Sequence, residues 1–375
     1  MVLSETQTAV RDAVEAWAKH RVAPNARAWE AAGGYPGEIF KELADLGLMG
    51  MMAPETFGGA GADHVSYSLA LMALAAGDGG LSTIVSVHNA PVIAALLAEG
   101  TDSQKARLLP DLCAGRRIGA FALTESEAGS DAAAIRTRAT RQGDGWRLDG
   151  AKQFITSGAT AGLTIVFAVS EPGAGRRGIS AFLVPAGTPG LTAAPLEHKL
   201  GQRACETCML DLVGVLVDDD LCLGEPGEGY RIALANLETG RIGVAAQSVG
   251  MAQAALGIAI AYAKERRTFG RAIIEHQAVG FRLADMAARL EAARQLVLHA
   301  AALKDAGRAC LTEASMAKLV ASEAAEAICS AAIQTLGGAG YMEEYGVAKI
   351  YRDVRVCQIY EGTSDVQKLI LQRML

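Results

Sequence analysis

Apolar residues in the first 116 positions recur at helical spacing, and caps and glycines punctuate the segments they mark. Ser4 and Gln7 form a capping box ahead of Val10, Val14 and Trp17, which share one face of a helix that runs to Pro24. After Pro36, the residues Ile39, Leu43 and Leu46 predict a second inward-facing helix stopped at Gly47. A glycine-rich loop, PETFGGAGAD, leads to two apolar helices over about 64–76 and 81–98. Thr101 and Gln104 cap a further helix that ends near Gly115.

From Arg117 the period changes to two. IGAFAL, RTRATRQ, GWRLDG, LTIVFAV, GISAFLVP and TCMLDLVGVLV read as short strands, with turns at Asp144-Gly145 and Asp149-Gly150. Gly173, Gly175 and Gly178 match the spacing of a dinucleotide fingerprint. That motif needs a helix after it, whereas ISAFLVP is strand-like, so the segment is expected to be a loop between strands. Beyond Glu228 long helices return, at about 228–267, 276–306, 312–336, 343–354 and 365–375. Long antiparallel helices with short links imply a bundle. The expected fold is therefore α+β and multidomain: a helical domain over 1–116, a β domain over 117–225 and a helical bundle over 226–375.

Composition narrows the classes. Hydrophobic residues make up 51% of the chain and aromatic ones 5%, so the core is expected to be small aliphatic side chains on closely spaced helices. A formal charge of −6 without any lysine- or arginine-rich run argues against a nucleic-acid footprint. Seven cysteines, an odd number, suit a reducing compartment. Cys205 and Cys208 have C-x-x-C spacing, but in a strand positions three apart face opposite ways, so no metal site is expected. The uncharged run Gly243–Ala263 is long enough to span a bilayer. With Gln247, Ser248 and Gln253 inside it and a helical pattern continuing on both sides, it is read as a buried helix rather than a membrane span.

Candidate chemistry gathers in three loops and one turn. Phe121–Asp131 (FALTESEAGSD) offers Thr124 and Ser130 as hydroxyl donors and Gly129 for close backbone approach; Lys152–Gly158 (KQFITSG) sets Phe154 beside Thr156. A planar polar heterocycle needs such a plate and such donors, though any one loop alone reads more readily as a hydroxyl-capped turn. The third loop is the GTSD that follows Glu361. Glu361 sits between a strand-like run, Val356–Tyr360, and Gly362; Ser364 and Gln367 then read as a capping box for a last helix. A carboxylate held on such a turn suits proton abstraction, while an isolated E-G-T is more often a surface glutamate.

FALTESEAGSD, GAKQFITSG, KLGQR, LETGRIGVAAQSVGMAQ, ERRTFGRAIIEHQAV, QTLGGAGY and QIYEGTSD, in this order, resemble the acyl-CoA dehydrogenase family along nearly the whole chain. The resemblance implies noncovalent FAD, a central β-barrel between an α domain and a four-helix bundle, and a homotetramer. It assigns Phe121, Leu123, Thr124, Gly129, Ser130, Phe154 and Thr156 to the flavin, with Thr156 near N5 and Ser130 also near the CoA portion. Arg266, Phe269, Gln277, Gln334, Gly337 and Gly338 are implied to serve the FAD of a neighbouring subunit, and Thr363 and Asp365 to complete the site. Glu361 matches the family's base, which removes the α-proton of an acyl-CoA while the β-hydrogen leaves as hydride to the flavin, giving a trans-2-enoyl-CoA. Burial beside an acyl chain is expected to raise its pKa toward neutrality. In some relatives the base lies one residue before the arginine of LETGR, where this chain has Gly240. Glu238, Arg241, Tyr360 and Gly362 are expected to contact substrate, and residues near Ile84–His88 to line the acyl pocket.

The motifs look closest to short-chain members, with a branched substrate (2-methylbutyryl or isobutyryl) as the alternative. A glutaryl-type decarboxylating enzyme would want an arginine around Ser82, and none is there. A flavin monooxygenase of the same fold would generally lack the glutamate. From another class, a catalytically silent acyl-CoA-binding homologue would keep the fold without the chemistry. By the same resemblance, electron-transfer flavoprotein is the expected acceptor. The location expected is a bacterial cytoplasm, or a mitochondrial matrix if a leader has been removed.

Overall fold

The caps foreseen at the N-terminus form as hydrogen-bonded boxes. In the computed structural model, which describes residues 1–196 and 198–375, Ser4 and Gln7 cap α1 (Glu5–Trp17), and Thr101 and Gln104 cap α7 (Asp102–Cys113). Between them lie α2 (Ala26–Ala32), α3 (Glu38–Asp45), α4 (His64–Gly77), α5 (Gly79–Val87) and α6 (Ala94–Glu99). Ile39 and Leu43 of α3 are buried, whereas Leu46 falls just past its end and is exposed. A π-helical stretch, His88–Ile93, joins α5 to α6. Its wider turn admits Pro91, which has no N–H to give to an α-helical ladder.

Strands β1 (Gly119–Ala122), β2 (Arg138–Gln142), β3 (Gly145–Thr156), β4 (Leu163–Val169), β5 (Ile179–Pro185), β6 (Leu191–Pro195), β7 (Thr207–Asp218) and β8 (Cys222–Leu223) form one sheet in the order β6-β7-β3-β2-β4-β5-β8, with β1 beside β4. Trp146, Leu148, Val166, Phe182, Leu210 and Val217 come from strands across this order, yet share one core, so the sheet curls around its own inner face as a barrel. Asp149-Gly150 is no turn: β3 runs straight through it, and a register shift against β7 between Leu148 and Gly150 marks a bulge. Cys205 precedes β7 and only Cys208 lies on it, so the two do not share a strand.

The C-terminal third is three long helices, α8 (Gly229–Glu265), α9 (Gln277–Asp305) and α10 (Leu311–Leu336), completed by α11 (Val347–Val354) and α12 (Ser364–Gln372), both packed on α10. A two-stranded arm, β9 (Arg267–Thr268) and β10 (Arg271–Ala272), leaves the bundle after α8. The helical segments Gly79–Glu99 and Gly229–Glu265 are long and apolar enough to cross a membrane, but 78% and 67% of their most apolar windows is buried inside the fold. Alanines dominate where α4, α8 and α10 pack, as the composition foretold.

Two expectations around Glu361 are corrected. Val356–Tyr360 is not a strand, because Arg355–Gln358 continues α11 as a 3-10 turn. Ser364 is not the cap of α12: Thr363 takes that place, its hydroxyl accepting from the N–H of Val366. Gln367, freed from capping, turns its amide on to the carbonyls of Glu361 (3.2 Å) and Gly362 (2.9 Å).

Candidate active site

A cleft of about 600 Å³ opens where the three parts of the chain meet. The barrel supplies Thr124, Gly129, Ser130, Phe154 and Thr156; the bundle supplies Tyr360, Glu361, Gly362 and Thr363; and α5 supplies Thr83. The Phe121–Asp131 loop and the Lys152–Gly158 segment, which lies mostly on β3 because it pairs with β7 rather than forming the expected loop, are locked together from behind by a buried ion pair, Lys152 Nζ to Glu125 Oε1 at 2.7 Å. Lys152 also donates to the carbonyl of Leu123, while Glu125 accepts from the N–H groups of Arg136 and Thr137. Burial pulls the lysine down to about 8, and Glu125 holds it up against that trend.

The backbone is strained at the same place. Phe154, Ser157, Gln202 and Glu361 all have positive φ (59°, 57°, 48° and 56°), a region that side-chain-bearing residues seldom occupy. Three of these four line the cleft or project into it. At Phe154 the strained conformation leaves the ring 60% exposed, as a plate along one wall.

Glu361 is the centre of the charge arrangement. Its Oε2 is buried without a hydrogen-bond partner among the described residues. Burial pushes the carboxyl up from 4.5 to about 7, as expected from the sequence, and the nearby cations Arg241 and Lys318 offset part of that rise. Arg241, on α8, is buried, and its Nε and Nη1 also lack partners. Lys318 of α10 donates to the carbonyl of Gly362 at 2.7 Å. Gly240 completes the arrangement by having no side chain, since a Cβ there would stand 2.5 Å from Glu361 Oε2. Behind the carboxylate, Tyr360 donates to Gln247 Oε1 at 2.7 Å. Gln202 accepts from Thr83 at 2.8 Å.

Several expected residues lie elsewhere. Phe121 packs on Phe167 with ring centroids 4.8 Å apart, Leu123 contributes its carbonyl to Lys152, and Asp365 is exposed in the first turn of α12. Glu238 lies roughly 200° around α8 from Gly240 and is not in the cleft wall. Its carboxylate is taken by Lys304 Nζ at 2.6 Å and Cys310 Sγ at 3.4 Å. His88 is no pocket residue either: fully buried, it joins the carbonyls of Met49 and Leu112 through Nε2 and accepts the N–H of Gly119 at Nδ1. Arg266, Gly337 and Gly338 line a separate concavity of about 570 Å³ at the far end of the bundle. Gln277 and Gln334 are exposed, and Phe269, on the tip of the two-stranded arm, is 97% exposed.

Lys318, Gln367, Lys152 and Glu125 escaped the sequence reading as site residues. Their partners lie 44, 5, 27 and 27 positions away, and only a lysine inside an alanine-rich helix hinted at any of them.

The cleft fits a flavin. The hydroxyls of Thr124, Ser130 and Thr156 have no protein partner among the described residues, and the exposed Phe154 ring offers a flat apolar face beside them. Comparison with known proteins agrees. Family models match in succession: acyl-CoA dehydrogenase N-terminal domain over residues 4–116, middle domain over 120–215 and C-terminal domain over 227–375. The mitochondrial short-chain specific acyl-CoA dehydrogenase of Bos taurus is 43% identical over 98% of this chain and 90% of its own length. The CarC subunit of the caffeyl-CoA reductase–Etf complex of Acetobacterium woodii is 42% identical over 92% of this chain and 91% of its own. The structure of butyryl-CoA dehydrogenase from Megasphaera elsdenii superposes with a TM-score of 0.97 at 39% identity, covering 100% of this chain and 99% of that one. Arranged as helical domain, β domain and helical bundle around an FAD cleft, this chain belongs to the acyl-CoA dehydrogenase family of flavin oxidoreductases.

Proposed function

We propose that this enzyme dehydrogenates a short-chain acyl-CoA between its α and β carbons, with Glu361 as the base that removes the α-proton. The observation that carries this reading is the buried, unpartnered Oε2 of Glu361 at the cleft, on a carboxyl whose pKa lies at about 7. Such a base is ionised in a useful fraction near neutral pH and still strong enough to take a proton from carbon. FAD, when bound, supplies the hydride acceptor for the β-hydrogen. The N–H of Glu361 itself has no acceptor among the described residues, so it is free to donate to the thioester oxygen as charge develops there. Arg241 and Lys318 hold positive charge beside the base, and Gly240 leaves room for its carboxylate. Ser82 is buried and donates to the carbonyl of Gly79, leaving nothing at that position to hold a distal carboxylate.

The likeness to CarC supports electron-transfer flavoprotein as the acceptor. The open concavity around Arg266 and the bare Phe269 support assembly with further copies of this chain, a homotetramer by the family pattern. Seven free cysteines suit a reducing cytoplasm. Anaerobic titration with butyryl-CoA tests the reading: the oxidised flavin band is expected to bleach as enoyl-CoA forms. Bleaching by isobutyryl- or 2-methylbutyryl-CoA but not butyryl-CoA would move the assignment to a branched substrate, and a flavin that no short acyl-CoA reduces would overturn it.

A further inference from the structure

A lysine inside a protein normally has a carboxylate beside it, because removing an ammonium from water costs several kcal/mol. Two of the three fully or nearly buried lysines here obey that rule: Lys152 meets Glu125, and Lys349 meets Asp78 and Asp353. Lys318 does not. It is fully buried, no carboxylate lies within ion-pair distance among the described residues, and its one hydrogen bond runs to the carbonyl of Gly362. That carbonyl belongs to the turn bearing Glu361, in which two successive residues have positive φ, 56° and 87°. Gln367 reaches the same turn from α12, and a Cβ on Gly362 would stand 2.8 Å from its Nε2. The strained turn is thus gripped by one charged donor and one neutral one.

We propose that Lys318 is a positioning residue for proton abstraction: its ammonium anchors the Gly362 carbonyl, holding Glu361 at the cleft, and its charge favours the carboxylate form of the base. The inference rests on the assignment of Glu361 as base. The groups facing this pair are Arg241 from α8, Tyr67 from α4, Cys357 from the turn after α11, and the two residues themselves. Arg241 is the other cation among them, so removal of Lys318 leaves the carboxylate with one positive neighbour in place of two. A purely structural lysine would move neither the ionisation of Glu361 nor the pH dependence of the chemical step.

The test uses the FAD-loaded enzyme. The rate of flavin reduction by butyryl-CoA is followed against pH in Lys318→Met, Lys318→Gln and Gln367→Leu, with Glu361→Gln alongside. In parallel, infrared titration follows the carboxyl band that Glu361→Gln removes, a signal independent of turnover. Lys318→Met is expected to move the acid limb and the infrared midpoint upward by about one pH unit and to slow reduction by ~10- to 100-fold, with little change in substrate affinity. Lys318→Gln restores a donor without the charge, so it is expected to recover much of the rate above the shifted limb while keeping the shift. Gln367→Leu is expected to slow the step without moving the limb. An unmoved limb and infrared midpoint in Lys318→Gln overturns the proposal even if Lys318→Met fails to fold, and an equal shift in Gln367→Leu overturns its charge component. If Glu361→Gln itself reduces flavin at the wild-type rate, the base assignment fails rather than the role of Lys318.

Discussion

Two clusters of buried polar groups lie along the C-terminal segment, and they are treated in opposite ways. Around Lys349 every charged atom is engaged: Asp78 accepts from Tyr35 (2.6 Å), from the N–H of Leu81 (2.8 Å) and from Lys349 (2.8 Å), while Asp353 accepts from Lys349 and from the N–H of Gln202, both at 2.5 Å. Around Glu361, one carboxylate oxygen, two guanidinium nitrogens of Arg241 and the amide nitrogen of Gln247 have no partner among the described residues. The first cluster ties α4–α5, the loop before β7 and α11 together. The second leaves hydrogen-bonding capacity open beside a cleft. A fold that satisfies eight atoms in one place and leaves several bare in another shows where a ligand is meant to complete the set.

The sharpest way to break the contrast is to remove the bare carboxylate. Glu361→Gln is expected to lower flavin reduction by acyl-CoA by ~10²- to 10⁴-fold while retaining FAD, read by stopped-flow absorbance. The counterpart in the satisfied cluster is Lys349→Met, which strands two buried carboxylates. It is expected to cost about 3–5 kcal/mol of stability, measured by chemical denaturation, with no requirement that the chemistry of folded enzyme change. Gly240→Ala probes the space between α8 and the turn that bears Glu361: its methyl would displace the Glu361 carboxylate, with a loss of roughly 10²-fold in the reduction rate and little effect on FAD content. The smallest effect concerns pH. A carboxyl raised in the fold from 4.5 to about 7 contributes stability when protonated, below its unfolded value, and loses that contribution as pH rises through about 7. Glu361→Gln is therefore expected to match the wild type in melting temperature near pH 4.5 and to exceed it progressively toward pH 8. Equal melting curves at both ends would show that the carboxylate is better solvated than its burial implies.

Much of this was legible because it is local. Capping boxes at Ser4 and Thr101 are chemistry between residues three apart, and both formed. The change from helical to alternating pattern at Arg117 reflects one buried face per element, and the strands followed it, except that β6, with its exposed side chains, and the two-residue β8 left no such pattern to read, and β3 runs on through Lys152–Thr156, which reads as loop. Thr124, Ser130, Phe154, Thr156 and Glu361 announced themselves through loop composition and family motifs, and the structure brings them to one cleft. What stayed hidden was whatever depends on a distant partner. Ser364 and Gln367 have the spacing of a capping box, but a strained turn competes for Gln367 and wins. Asp149-Gly150 has turn chemistry, but pairing on both sides of β3 absorbs it as a bulge. Lys152 stands on a strand and Lys318 on a helix, where either reads as solvent-facing, and only the alanine-rich surroundings of Lys318 hinted at burial.

The empty place at Gly240 has a historical consequence. Because a Cβ there and the carboxylate of Glu361 contend for the same 2.5 Å, the two positions hold one occupant between them. With Glu361 as the proposed base, moving that base from the turn before α12 to position 240 on α8 requires both codons to change: side chains at both places collide, and a carboxylate at neither leaves no proton acceptor. Position 240 and the turn that bears Glu361 are therefore expected to change together or not at all.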